Sequence, residues 1–215
     1  MKRVSLKSLP EAELAAFQTR QQGNNCAIHA AIAALKLLEG LELSPQDLSA
    51  EVDRLWWHGH FYRVFPGWGV TPCMQARLIN YLSRQHNLNV HAHCRLLTHA
   101  VLMEMLEQDQ KAVLVTLTWL QGKAPALYHG TSSANSNATH KAGGHTMLLA
   151  AYDPAHRSGE LTTPWGFINS WAEGSTELFW MEDQAFRKSA FGAVLPLNIH
   201  PSVIIQHTSK SVKVL

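Results

Sequence analysis

The spacing of apolar residues changes half-way along this 215-residue chain, and a fold must bury both kinds of pattern at once. Ile28, Ala31, Ile32, Leu35 and Leu38 recur at helical intervals between Asn25 and Glu39, and the run stops at Gly40, the residue type best suited to ending a helix. Ser8-Leu9-Pro10-Glu11 reads as an earlier helix start. Ser44 caps a predicted helix running to about Trp56, Thr71-Pro72 opens one ending near His86, and a further helix is predicted over His99–Gln108. From Lys111 the runs become short and rich in β-branched residues: KAVLVTLTW (111–119), TMLLAAY (146–152), WGFINSW (165–171) and TELFW (176–180). Weaker strand candidates lie at 193–197 and 203–206. Helices first and strands later make an α+β order, not an alternating one.

The expectation is one domain over 1–215, with a helical lobe over about 8–108 and a β lobe over about 109–215, an antiparallel sheet or barrel. Seven Trp, seven Phe and four Tyr supply the mass of a packed interior. Gly130–Gly144, rich in Ser, Thr, Asn, Ala and Gly, reads as a loop that ends directly on His145.

Several function classes drop out on charge and motif grounds. Eighteen Lys and Arg against 16 Asp and Glu leave +2, with no basic run, so no nucleic-acid partner is expected. No stretch is apolar enough for a membrane span, and MKRVSLKSLPEAELAAF lacks the core of a signal peptide. Cys26, Cys73 and Cys94 are odd in number and widely spaced, which argues against a disulfide framework. A cytoplasmic protein fits, or one exported without a cleaved signal peptide. The His58/His60 and His91/His93 pairs have no Cys-x-x-Cys beside them, so no metal is expected.

Three residues carry the chemistry. Cys26 opens the most apolar helix, with Asn24 or Asn25 placed to cap it; there the free N–H groups and the helix dipole favour a thiolate, the nucleophilic form. A small buried helix residue is the plain alternative. His145 follows Gly143-Gly144 and opens TMLLAAY, so a buried strand would hold it at its first residue. Asn169 alternates with Trp165, Phe167 and Trp171 on one strand face. A buried amide there needs a partner, which a His ring N–H or the backbone could supply.

Taken together, QQGNNCAIHA, GGHTMLLAAYD and WGFINSW resemble the three blocks of papain-like cysteine peptidases. Their order is Cys, His, Asn, with 119 residues from Cys26 to His145 and 24 from there to Asn169. The resemblance implies a papain-like fold with a cleft between the lobes, Cys26 as nucleophile, His145 as base and Asn169 orienting the base. It also implies an oxyanion glutamine: Gln21, in the josephin-like spacing Gln-x-Gly-x-x-Cys-Ala, with Gln22 as the alternative. Gly67-Trp68-Gly69 is similar to the glycine segment that flanks an extended substrate, and its other reading is a tight turn before a helix. Gly144 and Trp171 complete the expected substrate-binding positions. His29, three residues past Cys26, is a competing base with poorer access to a leaving group.

Two departures bear on the kind of enzyme. Asn25-Cys26-Ala27 stands where the family usually has Ser-Cys-Trp, and Met1 lies where a mature N-terminus would fall. The expectation is therefore a selective enzyme without an inhibitory pro-segment, acting on a peptide or protein substrate with no cofactor. The reaction expected is hydrolysis of a peptide or isopeptide bond through an acyl-enzyme. The same groups would serve a glutamine deamidase or an acyl transferase, and a silent binding scaffold of this fold is a third reading.

Overall fold

The computed structural model describes residues 2–120, 124–130, 132–134, 142–171, 174–189 and 199–208. Strand β1 (Val4–Ser5) and a 3-10 turn (Leu6–Ser8) precede helices α1 (Glu11–Ala15), α2 (Cys26–Glu39), α3 (Pro45–Trp57) and α4 (Pro72–Gln85). Then follow β2 (Val90–Thr98), α5 (His99–Leu106), β3 (Lys111–Leu120), β4 (Leu127–His129), β5 (Ser132–Ala134) and β6 (Ala142–Tyr152). Last come β7 (Arg157–Ser158), β8 (Leu161–Thr162), β9 (Trp165–Ile168), β10 (Phe179–Met181), α6 (Asp183–Lys188) and β11 (Ile199–His207).

Local chemistry sets the long helices. The hydroxyl of Ser44 accepts from the Asp47 N–H at α3, and that of Thr71 accepts from the Met74 N–H at α4, each with Pro in the first turn. Gly40 ends α2 at φ +69°, a left-handed conformation that costs a glycine little. Ile28, Ala31, Ala34 and Leu35 are fully buried, and a helix apolar on nearly every side belongs at the centre of a fold. α2 packs on β3 and β6 of the sheet and on α3 and α4.

Among the described residues the main sheet is antiparallel and runs β2-β11-β3-β6-β9-β10-β4-β5, with β1 added against β6. The architecture is thus mixed α+β around a large antiparallel sheet. The barrel alternative is corrected: the order runs from β2 to β5 without those ends pairing. β6 lies between β3 and β9, in register Leu117 opposite His145 and Leu148 opposite Ile168. That register brings His145 and the residue following Ile168 to the same end of the central strands.

Other expectations need correcting. β2 falls inside the stretch assigned to the helical lobe, yet it pairs with β11 along its whole length. Its mixed residues, VHAHCRLLT, give no clean period, and a partner more than a hundred residues away imposes the strand. His145 is the fourth residue of β6, not its first, because Gly143 and Gly144 pair with Trp119 and Thr118 of β3. The 130–144 stretch is accordingly not all loop, since Ser132–Ala134 is also a strand. The 165–171 run stops as a strand at Ile168, TELFW is strand only from Phe179, and 203–206 lies inside the longer β11. The candidate at 193–197 lies outside the described residues. No helix among the described residues is long and apolar enough to cross a membrane.

Candidate active site

The first turn of α2 is built differently from the expected capped helix. Asn25 occupies the N-cap position, but its side chain caps nothing. Instead its Oδ1 accepts from Ser49 Oγ at 3.2 Å and from an Arg63 Nη1 at 3.4 Å, and its Nδ2 donates to the Gln22 carbonyl. The first-turn amides are left for another acceptor. Cys26 is half-buried beside them. Burial pushes its thiol up, but the charge of His145, a hydrogen bond with that ring, and main-chain hydrogen bonds from Thr146 and Ala27 outweigh burial and hold the thiol below its ordinary value.

His145 and Asn169 are both buried, and His145 Nε2 lies 2.6 Å from Asn169 Oδ1. A carbonyl oxygen only accepts, so Nε2 carries the hydrogen and Nδ1 is the ring nitrogen left for Cys26. Asn169 is itself held: Oδ1 also accepts the Ser170 N–H at 2.7 Å, and its own main-chain N–H donates to Gln18 Oε1 at 3.3 Å. Gln18 in turn donates from Nε2 to the Glu177 carbonyl. The Trp171 ring stacks on the imidazole, with centroids 4.6 Å apart and planes 29° from parallel. Among the described residues Asn169 Nδ2 has no partner, a desolvation cost accepted where the oxygen is committed to the ring.

A sulfur, an imidazole and a carboxamide therefore converge where α2, β6 and the end of β9 meet. No family model matches this chain, and no curated protein matches it.

The remaining predicted positions divide. Gln21 joins the site through Ser170: its N–H donates to the Ser170 carbonyl at 2.7 Å, its Oε1 accepts from the Ser170 hydroxyl, and its Nε2 donates to the Gly23 carbonyl. A carboxamide nitrogen has two hydrogens, so one Nε2–H is left over. Gln22 is exposed and lines a groove of about 340 Å³ with Asn25, Ser49 and Asp53. Gly144 is exposed on β6, its position tight against the Leu117 carbonyl. Gly67, at φ +72°, and Gly69 form a turn closed on itself. In it Gly67 N–H donates to Asp53 Oδ1, Val64 N–H to the Gly69 carbonyl, and Arg63 to the Trp68 carbonyl, while the Trp68 ring is exposed. His29 is buried and bonded through Nδ1 to the Thr19 hydroxyl at 2.6 Å, a packing role.

Four contributors were not read from sequence. Ser170 could have been, as the middle of Asn-Ser-Trp. Gln18, Thr146 and Arg63 carry no local signal. Arg63 is fully buried, pairs by charge with Asp53 at 3.0 Å, and donates to Ser49 Oγ at 2.8 Å as well as to Asn25. Of the His pairs, His91 and His93 share a face of β2 with rings 6.3 Å apart. Among the described residues no group of three or more metal-ligating side chains forms.

Proposed function

We propose that this chain is a papain-like cysteine hydrolase acting on amide bonds of peptides or proteins through Cys26, His145 and Asn169. The observation that carries the proposal is the 2.6 Å contact from His145 Nε2 to Asn169 Oδ1 beside a thiol that the same ring holds low. A merely structural histidine has no reason to present its second nitrogen to a cysteine at a helix start.

In this reading the Cys26 thiolate attacks the substrate carbonyl, and the carbon–oxygen π electrons move onto oxygen. The Cys26 N–H and the spare Nε2–H of Gln21 are the donors this reading assigns to the resulting oxyanion. Collapse expels the amine, which takes the proton from His145 Nδ1, and leaves an acyl-thioester on Cys26. Neutral His145 then takes a proton from water, whose oxygen attacks the thioester and releases the acid and the thiolate. Asn169 keeps the ring in the tautomer both steps need, and Trp171 shields that hydrogen bond from water. These steps need no cofactor.

The test is turnover of a panel of extended peptides, ubiquitin-like conjugates and glutamine-bearing proteins by wild type, Cys26→Ala and His145→Ala. Cleavage lost in both variants supports the proposal. Ammonia release without chain cleavage would turn the same site into a deamidase. Wild-type turnover that survives in folded Cys26→Ala would end the reading.

A further inference from the structure

The expectation from sequence sets all three cysteines apart, but the fold does not. Cys73, in the first turn of α4, and Cys94, in the middle of β2, present their sulfurs to one another at 2.8 Å, well inside van der Waals contact. Both are free thiols, Cys73 exposed and Cys94 half-buried. A disulfide needs a separation of about 2.05 Å, so closure asks for less than about 1 Å of movement.

We propose that Cys73 and Cys94 are a redox-modification site, closing to an intramolecular disulfide when the chain meets a low-molecular-weight disulfide oxidant. Three cysteines then divide into one pair and one catalytic thiol. The proposal stands on the α4–β2 contact and does not depend on the proposed function of Cys26.

The chemistry balances as two exchanges. The exposed Cys73 thiolate attacks one sulfur of the oxidant, breaking its S–S bond and releasing one thiol, which leaves a mixed disulfide on Cys73. Cys94 loses its proton to solvent and attacks the Cys73 sulfur, expelling the second thiol. Two protein thiols lose two electrons, and one oxidant molecule becomes two thiols. Cys94 suits the second step: burial and the hydrogen bond with Cys73 push its thiol up to about 12, so it waits as a thiol until its neighbour is activated.

The bond also supplies something the interface lacks. The later turns of α4 are tied to β2 by Asn80, which bonds both the N–H and the carbonyl of Ala92, and by Ser83, which donates to the Val90 carbonyl. Among the described residues the first turn of α4 meets β2 through a polar side-chain contact only at the sulfur pair. That turn follows directly on Gly67–Val70, so closure would fasten the exit of the Gly67-Trp68-Gly69 turn to an edge strand of the sheet.

The test uses folded wild type and Cys26→Ala, each held in a glutathione redox buffer, alkylated, and peptide-mapped without reduction. The expected product in both proteins is a cross-link between the peptides of Cys73 and Cys94, lighter by two hydrogens and reopened by reductant, while Cys73→Ser leaves Cys94 alkylatable. A lasting glutathione adduct on Cys73 beside a free Cys94 would overturn the proposal, as would both thiols remaining alkylatable or a dominant cross-link to Cys26.

Discussion

The guanidinium of Arg63 lies 3.4 Å from the side-chain oxygen of Asn25, the residue immediately before Cys26. This contact, with that of the Ser49 hydroxyl, occupies the Asn25 oxygen that could cap α2 and links the helix of Cys26 to the turn that holds Trp68. Replacing Arg63 with Leu leaves Asp53 without its cation and removes one of the two donors on the Asn25 side-chain oxygen. The expected loss is about 1–3 kcal/mol, because the groups left without a donor are polar and Asp53 itself is partly exposed. Urea unfolding measures it. Arg63→Lys should lose less stability, because it keeps the charge without the fork of donors. Equal midpoints for Arg63→Leu and wild type would remove Arg63 from this role.

The acid limb of Cys26 alkylation tests the electrostatics of the site. Burial alone would raise the thiol, and the charge and hydrogen bond of His145 reverse the sign. Thiolate therefore persists as pH falls below the ordinary thiol range and is lost only on passing the lowered value. His145→Ala removes the lowering side-chain causes and leaves burial, so its limb should move upward. Rates of iodoacetamide reaction against pH, resolved by residue, read the two curves directly; superimposable curves would contradict the assignment.

Under the proposed function, Asn169→Ala should cost turnover far more than substrate binding. A hydrogen bond to a charged ring is worth about 1.5–3 kcal/mol, which translates to roughly 10- to 100-fold in rate. The expected signature is a lower kcat with KM nearly unchanged. Asn169→Gln, longer by a methylene at a buried position, should not restore it.

A methyl group at Gly143 would meet the Trp119 ring 2.5 Å away. Because β3 and β6 pair these two residues directly, Gly143→Ala should destabilise the protein by about 1–3 kcal/mol through overpacking. Trp119→Ala combined with Gly143→Ala should recover part of the loss, in a cycle followed by chemical denaturation. Additive losses would mean that the two positions do not collide.

Stability should fall in mild acid. His99 and His200 face each other at 2.8 Å and stack on Phe186. Burial first, then their own mutual repulsion and Arg187, push His200 down to about 3; burial and Arg187, partly opposed by Asp183, push His99 down to about 4. Unfolded histidine takes up its proton near pH 6.5. Between there and the folded values the unfolded chain binds more protons, so stability declines as pH drops. Each ring contributes a slope of up to about 1.4 kcal/mol per pH unit. Urea midpoints at pH 7 and pH 5 should differ accordingly, and His200→Phe should flatten the difference.

The candidate site was legible as three residue types in order, because its ingredients leave local marks. Cys26 opens a helix that the apolar repeat marks and Gly40 ends, and Asn169 stands between aromatics one residue past a short strand. The glycine turn shows the opposite case. Gly67-Trp68-Gly69 reads equally as a substrate-facing segment or a tight turn, and the bonds that shape it come from Arg63 nearby and from Asp53 on α3, which the local sequence does not announce.

The capped starts of α3 and α4, the end of α2 at Gly40, the shift to β-branched runs and the α+β order were determined by the chain alone, since capping and hydrophobic period act within a few residues of where they are written. Register, the strand at 90–98, the buried Arg63 and the meeting of Cys73 with Cys94 were decided only in three dimensions. Each depends on a partner brought close by sheet pairing or helix packing, and a side chain's spacing along the backbone holds no record of which distant surface will cover it.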